Sequence, residues 1–343
     1  MKKTLALLLL TAILMTPLTG CNSNKTNENK TDAIATTTSN IPEYNAADAN
    51  PASDFEYKVG EDGGITITKY IGTDSDVVIP EKIDGKNVTV IGKNSFNENQ
   101  TLISIAIPDT VWLIDGYAFV ACKKLTTVRM SKNLEAINIS AFDGCVELAD
   151  AVLPNSLTTI GERAFAGCKS LKHIRIPSSC YRGITENGTA YYPAANSAFA
   201  HSGIETLVLE DGIEYIPKSA FSNTNLKEVI IPGSVQFIRD DAFYGCESLV
   251  KITLSEGITT IARTAFSNTG IIEITIPSSV VDMTGAAFNL MPALQKVYFE
   301  GNVPEYFIYD VNQGKDSTFT IYYHEDAEGF TTPEWNGYKT ERW

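Results

Sequence analysis

Leu102-x-x-Ile105-x-Ile107-Pro108-x-x-Val111-x-x-Ile114-x-Gly116-x-Ala118-Phe119-x-x-Cys122 is one turn of a repeat, and its reading decides the fold. Ile105-x-Ile107 alternates with period two, the pattern of a strand with one face buried. Pro108 cannot donate to a ladder and closes that strand. Ile114 and Gly116 suggest a second short strand and a turn. Ala118-Phe119 then suggests a tight corner, helical or 3₁₀, with the ring turned inward. The same frame fits Leu171, Ile174, Ile176 and Pro177, then Leu226, Val229, Ile231 and Pro232, then Ile271, Ile274, Ile276 and Pro277.

The corner phenylalanine carries the period. Phe96, Phe119, Phe142, Phe165, Phe199, Phe221, Phe243, Phe266 and Phe288 are separated by 23, 23, 23, 34, 22, 22, 23 and 22 residues. Gly-Cys turns follow the rings of Phe142, Phe165 and Phe243, as in Phe165-Ala-Gly-Cys168. Two of the 22-residue units turn through Ser-Asn-Thr, as in Phe221-Ser-Asn-Thr224 and Phe266-Ser-Asn-Thr269. One residue is lost at a loop, where loss is tolerated. A single unit cannot bury its own apolar face, but a stack of nine can. With strands about 4.8 Å apart, the stack is a rod of roughly 45 Å. The expected fold is a β-rich repeat solenoid: nine 22–23-residue units, short parallel strands, and irregular caps at both ends.

The pattern resembles the BspA-like (treponemal-type) leucine-rich repeats, summarised as L-x-x-I-x-I-P-x-x-V-x-x-I-G-x-x-A-F-x-x-C, over roughly residues 65 to 299. It departs from the ordinary leucine-rich repeat in having no Asn ladder after the strand. It departs from the family at the 34-residue unit and at the Cys positions of later units. The resemblance implies a bacterial surface protein, since some members are adhesins that bind host matrix proteins or other cells.

The ends read differently. Lys2 and Lys3, the apolar run Leu5 to Met15 and the ending Leu18-Thr19-Gly20-Cys21 are the marks of an export signal with a lipobox. Residues 1–20 are read as the signal peptide and Cys21 as the diacylated new N-terminus, a stable two-chain anchor. The alternative is an ordinary secretory signal with a chance cysteine. Residues 21–53, rich in Asn, Thr, Ser, Ala and Lys, hold too few large apolar groups to fold and are read as a flexible tether. Residues 54–95 form an N-terminal cap and first turn, 96–299 the repeats with an insert at 178–197, and 300–343 a C-terminal cap.

Net charge is −14, and −16 once Lys2 and Lys3 are removed, leaving 25 basic and 41 acidic residues. Such a surface repels phosphate backbones and anionic headgroups, so nucleic acid is excluded as a partner and membrane contact is by the lipid anchor only. The histidines His173, His201 and His324 lie in different units with no ligand spacing, and no nucleophile elbow, zinc motif or phosphate loop is present. No enzyme, cofactor or metal is expected. Asp74-Ser75-Asp76 and Glu61-Asp62-Gly63-Gly64 have calcium-loop residue types, which are equally those of ordinary turns. Cys122, Cys145, Cys168 and Cys246 share one repeat position and read as small buried residues, and Cys180 as core or loop.

Two surfaces are candidates for binding. In each Ile-x-Ile the middle residue points outward, giving the column Ala106, Arg129, Val152, Arg175, Val208, Ile230, Thr253, Thr275 and Tyr298. Arg129, Val152, Arg175, Val208 and Ile230 are its central patch. The second surface is the insert, where Tyr181, Tyr191 and Tyr192 lie around Asn187-Gly188, a dipeptide that favours a tight hairpin turn. The function expected is a monomeric, lipid-anchored cell-surface binding scaffold, an adhesin or protein–protein interaction module for host matrix or other cell-surface proteins. It would sit outside the cytoplasm, on the outer membrane in a Gram-negative source. The alternative is a glycan- or nutrient-binding surface lipoprotein, which clustered exposed aromatics would favour.

Overall fold

The computed structural model describes residues 43–182, 195–284, 286–305 and 319–343, and the backbone of 184–186 and 189–191. The signal peptide, Cys21, most of the tether, Asn187-Gly188 and Tyr192 lie outside the described residues.

Each rung has three sides. The first carries a strand of two to four residues, such as Thr127–Arg129 or Glu273–Ile276, paired parallel to its equivalents in neighbouring rungs. Pairing is in register, so Ala106 stands beside Arg129 and Arg175 beside Val208. The second side carries two-residue strands, Leu113–Ile114, Ala136–Ile137 and Thr159–Ile160, then Tyr215–Ile216 to Asp282–Met283. The third side is the phenylalanine corner. The β-solenoid is the one expected from the repeat.

The corners differ from the helical or 3₁₀ form expected. Among the described residues the only helical segments are the short 3₁₀ turns Ala46–Asp48 and Ala52–Asp54. At every corner the residues two before and two after the phenylalanine have positive φ, as at Tyr117 (60°) and Ala121 (55°) around Phe119, and Ser140 (51°) and Gly144 (73°) around Phe142. These reversals of hand break any helix and aim alternate amides along the stack. The N–H groups of Tyr117, Phe119 and Ala121 donate to Ile139, Ala141 and Asp143 of the next rung at 2.9, 2.8 and 2.8 Å. The intervening N–H groups of Ala118, Val120 and Cys122 donate three residues back within the rung. The corner is thus a third hydrogen-bonded ladder. The left-handed turn explains Gly at 144 and 167, because an L residue there is strained by about 1–2 kcal/mol. Other rungs accept that strain at Ala121, His201, Asn223 or Leu290.

The core is continuous through the rod. The nine phenylalanine rings stack face to face inside it, all of them buried and seven completely so. Ring spacing widens steadily, from 4.9 Å between Phe96 and Phe119 to 5.5 Å between Phe199 and Phe221 and 6.2 Å between Phe266 and Phe288. Strands stay about 4.8 Å apart because their hydrogen bonds set that distance. The rungs therefore fan open on the phenylalanine side toward the C-terminal end, and the strand sides become its inner curve.

Both ends extend the stack. Ile65–Tyr70 pairs parallel with Lys86–Ile91 and is covered by the antiparallel Phe55–Val59. Thr320–Tyr323 pairs parallel with Lys296–Phe299, and Tyr338–Arg342 pairs parallel with Thr320–Tyr323. The tether boundary at 53 falls too late, since the chain is docked from residue 43. The Tyr44 hydroxyl donates to the Ile79 carbonyl at 2.8 Å. Asn50 accepts from the Val78 N–H at 2.8 Å and donates to Asp74 at 2.9 Å. Composition misled there because a few well-placed polar groups hold the segment without a core of its own.

Candidate binding face of the sheet

The outward column is only partly outward. Val152 is exposed at 40%, and Thr253 and Thr275 are also exposed. Arg175, Ile230 and Tyr298 are half-buried. Arg129 and Val208 are buried, at 7% and 8%, which corrects the expectation for both.

Arg129 is buried because its guanidinium turns down along the stack. It donates to the Ile107 carbonyl and to Asp109, both at 2.6 Å, and the Tyr44 ring lies over it at 5.4 Å. Burial alone would push the Asp109 carboxyl up. The hydrogen bonds from Arg129 and the Lys132 N–H, with the charges of both side chains, hold it below its ordinary range. Two rungs on, Arg175 repeats the move. It donates to the Leu153 carbonyl at 3.2 Å and to Asn155 at 2.7 Å, and it pairs with Glu210. Val208 stands in register with Arg175 and two residues before Glu210, so that ion pair shields it.

The rung between the two arginines has Val152 at the same position. The result is a depression of about 490 Å³ with Val152 on its floor, Arg129 and Lys132 on one side, and Arg175 and Asn155 on the other. Glu43 closes one rim, 3.5 Å from the Lys132 ammonium. Three of the column residues singled out from sequence thus converge on one site. The signal for the depression was the order Arg-Val-Arg itself. What sequence missed was Glu43 and Tyr44, assigned to the tether.

The insert divides. Ile184–Glu186 and Thr189–Tyr191 pair antiparallel, with Glu186 opposite Thr189. Tyr181 is not a surface residue. It is 4% exposed and packs on Tyr215 with ring centres 5.8 Å apart. It follows Cys180 in the core frame, and the insert begins only after it.

The five described cysteines are free and buried. Cys122 donates its thiol to the carbonyl of Phe96, Cys145 to Phe119 and Cys246 to Phe221, one rung back, at 3.0 to 3.1 Å. Burial pushes the Cys122 thiol up to about 12 and the Cys246 thiol to about 11. In the shorter turns Thr224 and Thr269 take this place, donating to the phenylalanine carbonyl of their own rung at 2.9 and 2.8 Å. Among the described residues no group of three or more His, Cys, Asp or Glu is placed to hold a metal ion.

One feature escaped sequence reading. The sheet continues through Thr320–Tyr323 and Tyr338–Arg342, which extends the outward column past Tyr298 to Tyr322 and Glu341. Tyr298 and Tyr322 stack at 4.8 Å, and Trp343 meets Tyr298 edge-on at 5.4 Å. The broken repeat period hid this continuation, although Thr320 to Tyr323 alternates as a strand.

The model of the BspA type leucine rich repeat region matches in six copies, over residues 76–187 and 194–310. The chain belongs to that family. Repeats of this family generally serve as protein-interaction or surface-binding modules and are typically non-enzymatic. Solved structures that share the fold include the following two. A leucine-rich repeat protein from Bacteroides ovatus is 24% identical with a TM-score of 0.65, covering 80% of this chain and 70% of that one. A leucine rich cell surface protein from Faecalibacterium prausnitzii is 24% identical with a TM-score of 0.57, covering 80% and 88%. No curated protein matches the chain.

Proposed function

We propose that the protein is a lipid-anchored scaffold on the outside of a bacterial cell, where it acts as an adhesin for a protein partner. The observation that carries this reading is the depression around Val152. An exposed aliphatic floor lies between two guanidiniums, each fixed by bonds to its neighbouring rungs. Groups held so firmly lose little freedom on binding, which favours recognition. The aliphatic floor supplies apolar burial, and the fixed arginines with Lys132 and Asn155 supply the polar rim typical of an interface. Membership in a surface-binding repeat family and the Leu18-to-Cys21 ending support placement at the cell surface, and the surface protein from Faecalibacterium prausnitzii shares the fold.

The deciding experiment is a binding series on purified host matrix proteins and exposed surface proteins of other cells, with wild type and Val152→Glu side by side. Saturable binding that weakens about tenfold or more in the variant, with an unchanged melting temperature, supports the reading. Binding to none of the panel, or binding indifferent to Val152→Glu, overturns it. For the anchor, Cys21→Ser should move the protein from the detergent phase to the aqueous phase in a phase-partition assay.

A further inference from the structure

The second half of the sheet face has a different chemistry from the first. Past Ile230 the outward column runs Thr253, Thr275, Tyr298 and Tyr322 in successive rungs, and both threonines are exposed. Tyr298 is in register with Tyr322 on one side and Thr275 on the other. Its ring stacks on Tyr322 and meets Trp343 edge-on, and the register sets the small Thr275 side chain on the side away from Tyr322. The surface therefore drops by most of a side chain at this point, from an aromatic wall to a floor of two hydroxyls. The wall lies on fully paired four-residue strands, Glu273–Ile276, Lys296–Phe299 and Thr320–Tyr323, which hold it in place. It also lies where the rungs fan open on the far side, which bends this face inward.

The polar groups around the step are uncommitted. Lys251, Glu273 and Lys296 alternate in the flanking column, in neighbouring rungs, and Glu300 stands two residues beyond Tyr298 on the same face. None of these four side chains is in an ion pair among the described residues. Two ammonium and two carboxylate groups give donors and acceptors on both flanks, with Glu256 near enough to help burial raise the Glu300 carboxyl.

We propose that this step binds a neutral oligosaccharide, with one pyranose ring stacked on Tyr298 above the hydroxyls of Thr253 and Thr275. The axial C–H groups of a pyranose are weakly positive and suit the negative face of the tyrosine ring. Each sugar hydroxyl both donates and accepts, so vicinal diols satisfy an ammonium and a carboxylate at once. A charged peptide would instead meet a like charge on one flank or the other. The proposal gives the carbohydrate alternative a specific place, and it rests on the surface-binding reading only for access to the outside. It does not use the Val152 depression.

The test is calorimetric titration of the full chain with four neutral hexasaccharides: maltohexaose, cellohexaose, a mannan hexamer and the N-acetylglucosamine hexamer. Trp343 fluorescence serves as a second readout because that ring touches Tyr298. At least one hexamer should bind saturably, roughly tenfold or more weakly in Tyr298→Ala, and with affinity retained in Tyr298→Trp. Thr275→Trp should abolish binding by filling the step from an exposed position, with the melting temperature unchanged, which separates lost binding from lost fold. Val152→Glu should leave sugar binding intact, so this proposal and the protein-binding reading fail independently. Binding of none of the four sugars overturns the proposal. So does sugar binding that survives both Tyr298→Ala and Thr275→Trp, or a face that takes only an aromatic peptide.

Discussion

Two columns run the length of this molecule with the same period, and they follow opposite rules. Inside, the corner column is phenylalanine in all nine units. Outside, the equivalent column reads Ala, Arg, Val, Arg, Val, Ile, Thr, Thr, Tyr. The inner column repeats because each ring packs on identical rings above and below, and a dense interior admits few shapes. The outer column is free to vary because solvent fills whatever a side chain leaves. A repeat therefore encodes the scaffold through its constant positions and its recognition through the variable ones.

The largest effect should come from breaking the inner column. Phe142→Ala removes a fully buried ring from between neighbours at 5.0 and 5.1 Å. The expected loss is about 3–5 kcal/mol, read by chemical denaturation. Phe288→Ala should cost less, because among the described residues its one stacked neighbour lies 6.2 Å away. Equal losses at both sites would mean that the fanning has no energetic consequence.

The constant positions made the fold legible from sequence alone. Nine phenylalanines, paired isoleucines and a following proline were enough to infer rungs, strands and their facing. The corner backbone was not legible, because its left-handed residues are as various as Tyr117, Arg163, Asp241 and Thr264. Their φ is imposed by the ladder to the next rung and not by residue type. The candidate site was legible in position but not in exposure. Alternation puts Arg129 and Val152 on one face, yet burial there depends on partners from elsewhere: Asp109 in the preceding rung and Tyr44 from the arriving N-terminal segment.

Arg129 is where the outer column behaves like an inner one. Arg129→Ala leaves Asp109 without its charge partner and uncovers Tyr44. Asp109 is 39% exposed, so solvent offsets much of the loss, and about 1–2 kcal/mol at neutral pH is expected. The effect carries a pH signature. The folded Asp109 carboxyl is depressed, so the pair's stabilisation is present above the unfolded carboxylate range, near 3.9, and is lost as pH falls through the folded value. Denaturation curves of wild type and variant should converge below about pH 4. A gap that persists in acid would assign the effect to packing and not to the ion pair.

The corner cysteines belong to the constant set but tolerate threonine in the shorter units. Cys145→Ala should cost about 1 kcal/mol, from a small cavity and a weak hydrogen bond to the Phe119 carbonyl. Burial raises all five described thiols and leaves them without solvent access. An aromatic disulfide reagent should therefore find none of the five in the native protein and all five in denaturant. Rapid native reaction would mean that the corners open locally.

The smallest effect is the sharpest test of the comparison, because it uses one substitution at two positions of a single column. Val152 and Val208 have the same residue type and the same place in the repeat, yet Val152 is 40% exposed and Val208 8%. Replacing valine by threonine keeps the branched shape and exchanges a methyl for a hydroxyl. At Val152 water can solvate that hydroxyl, and the expected change in stability lies within about 0.5 kcal/mol. At Val208 the hydroxyl is pressed beneath the Arg175–Glu210 pair and loses part of its hydration, so a loss of about 1 kcal/mol is expected. If Val208→Thr is as silent as Val152→Thr, the ion pair does not cover its neighbour in solution, and the column is open along its whole length. If the two differ as expected, the open stretch around the arginine rungs is confined to Val152, where their bonds leave a gap.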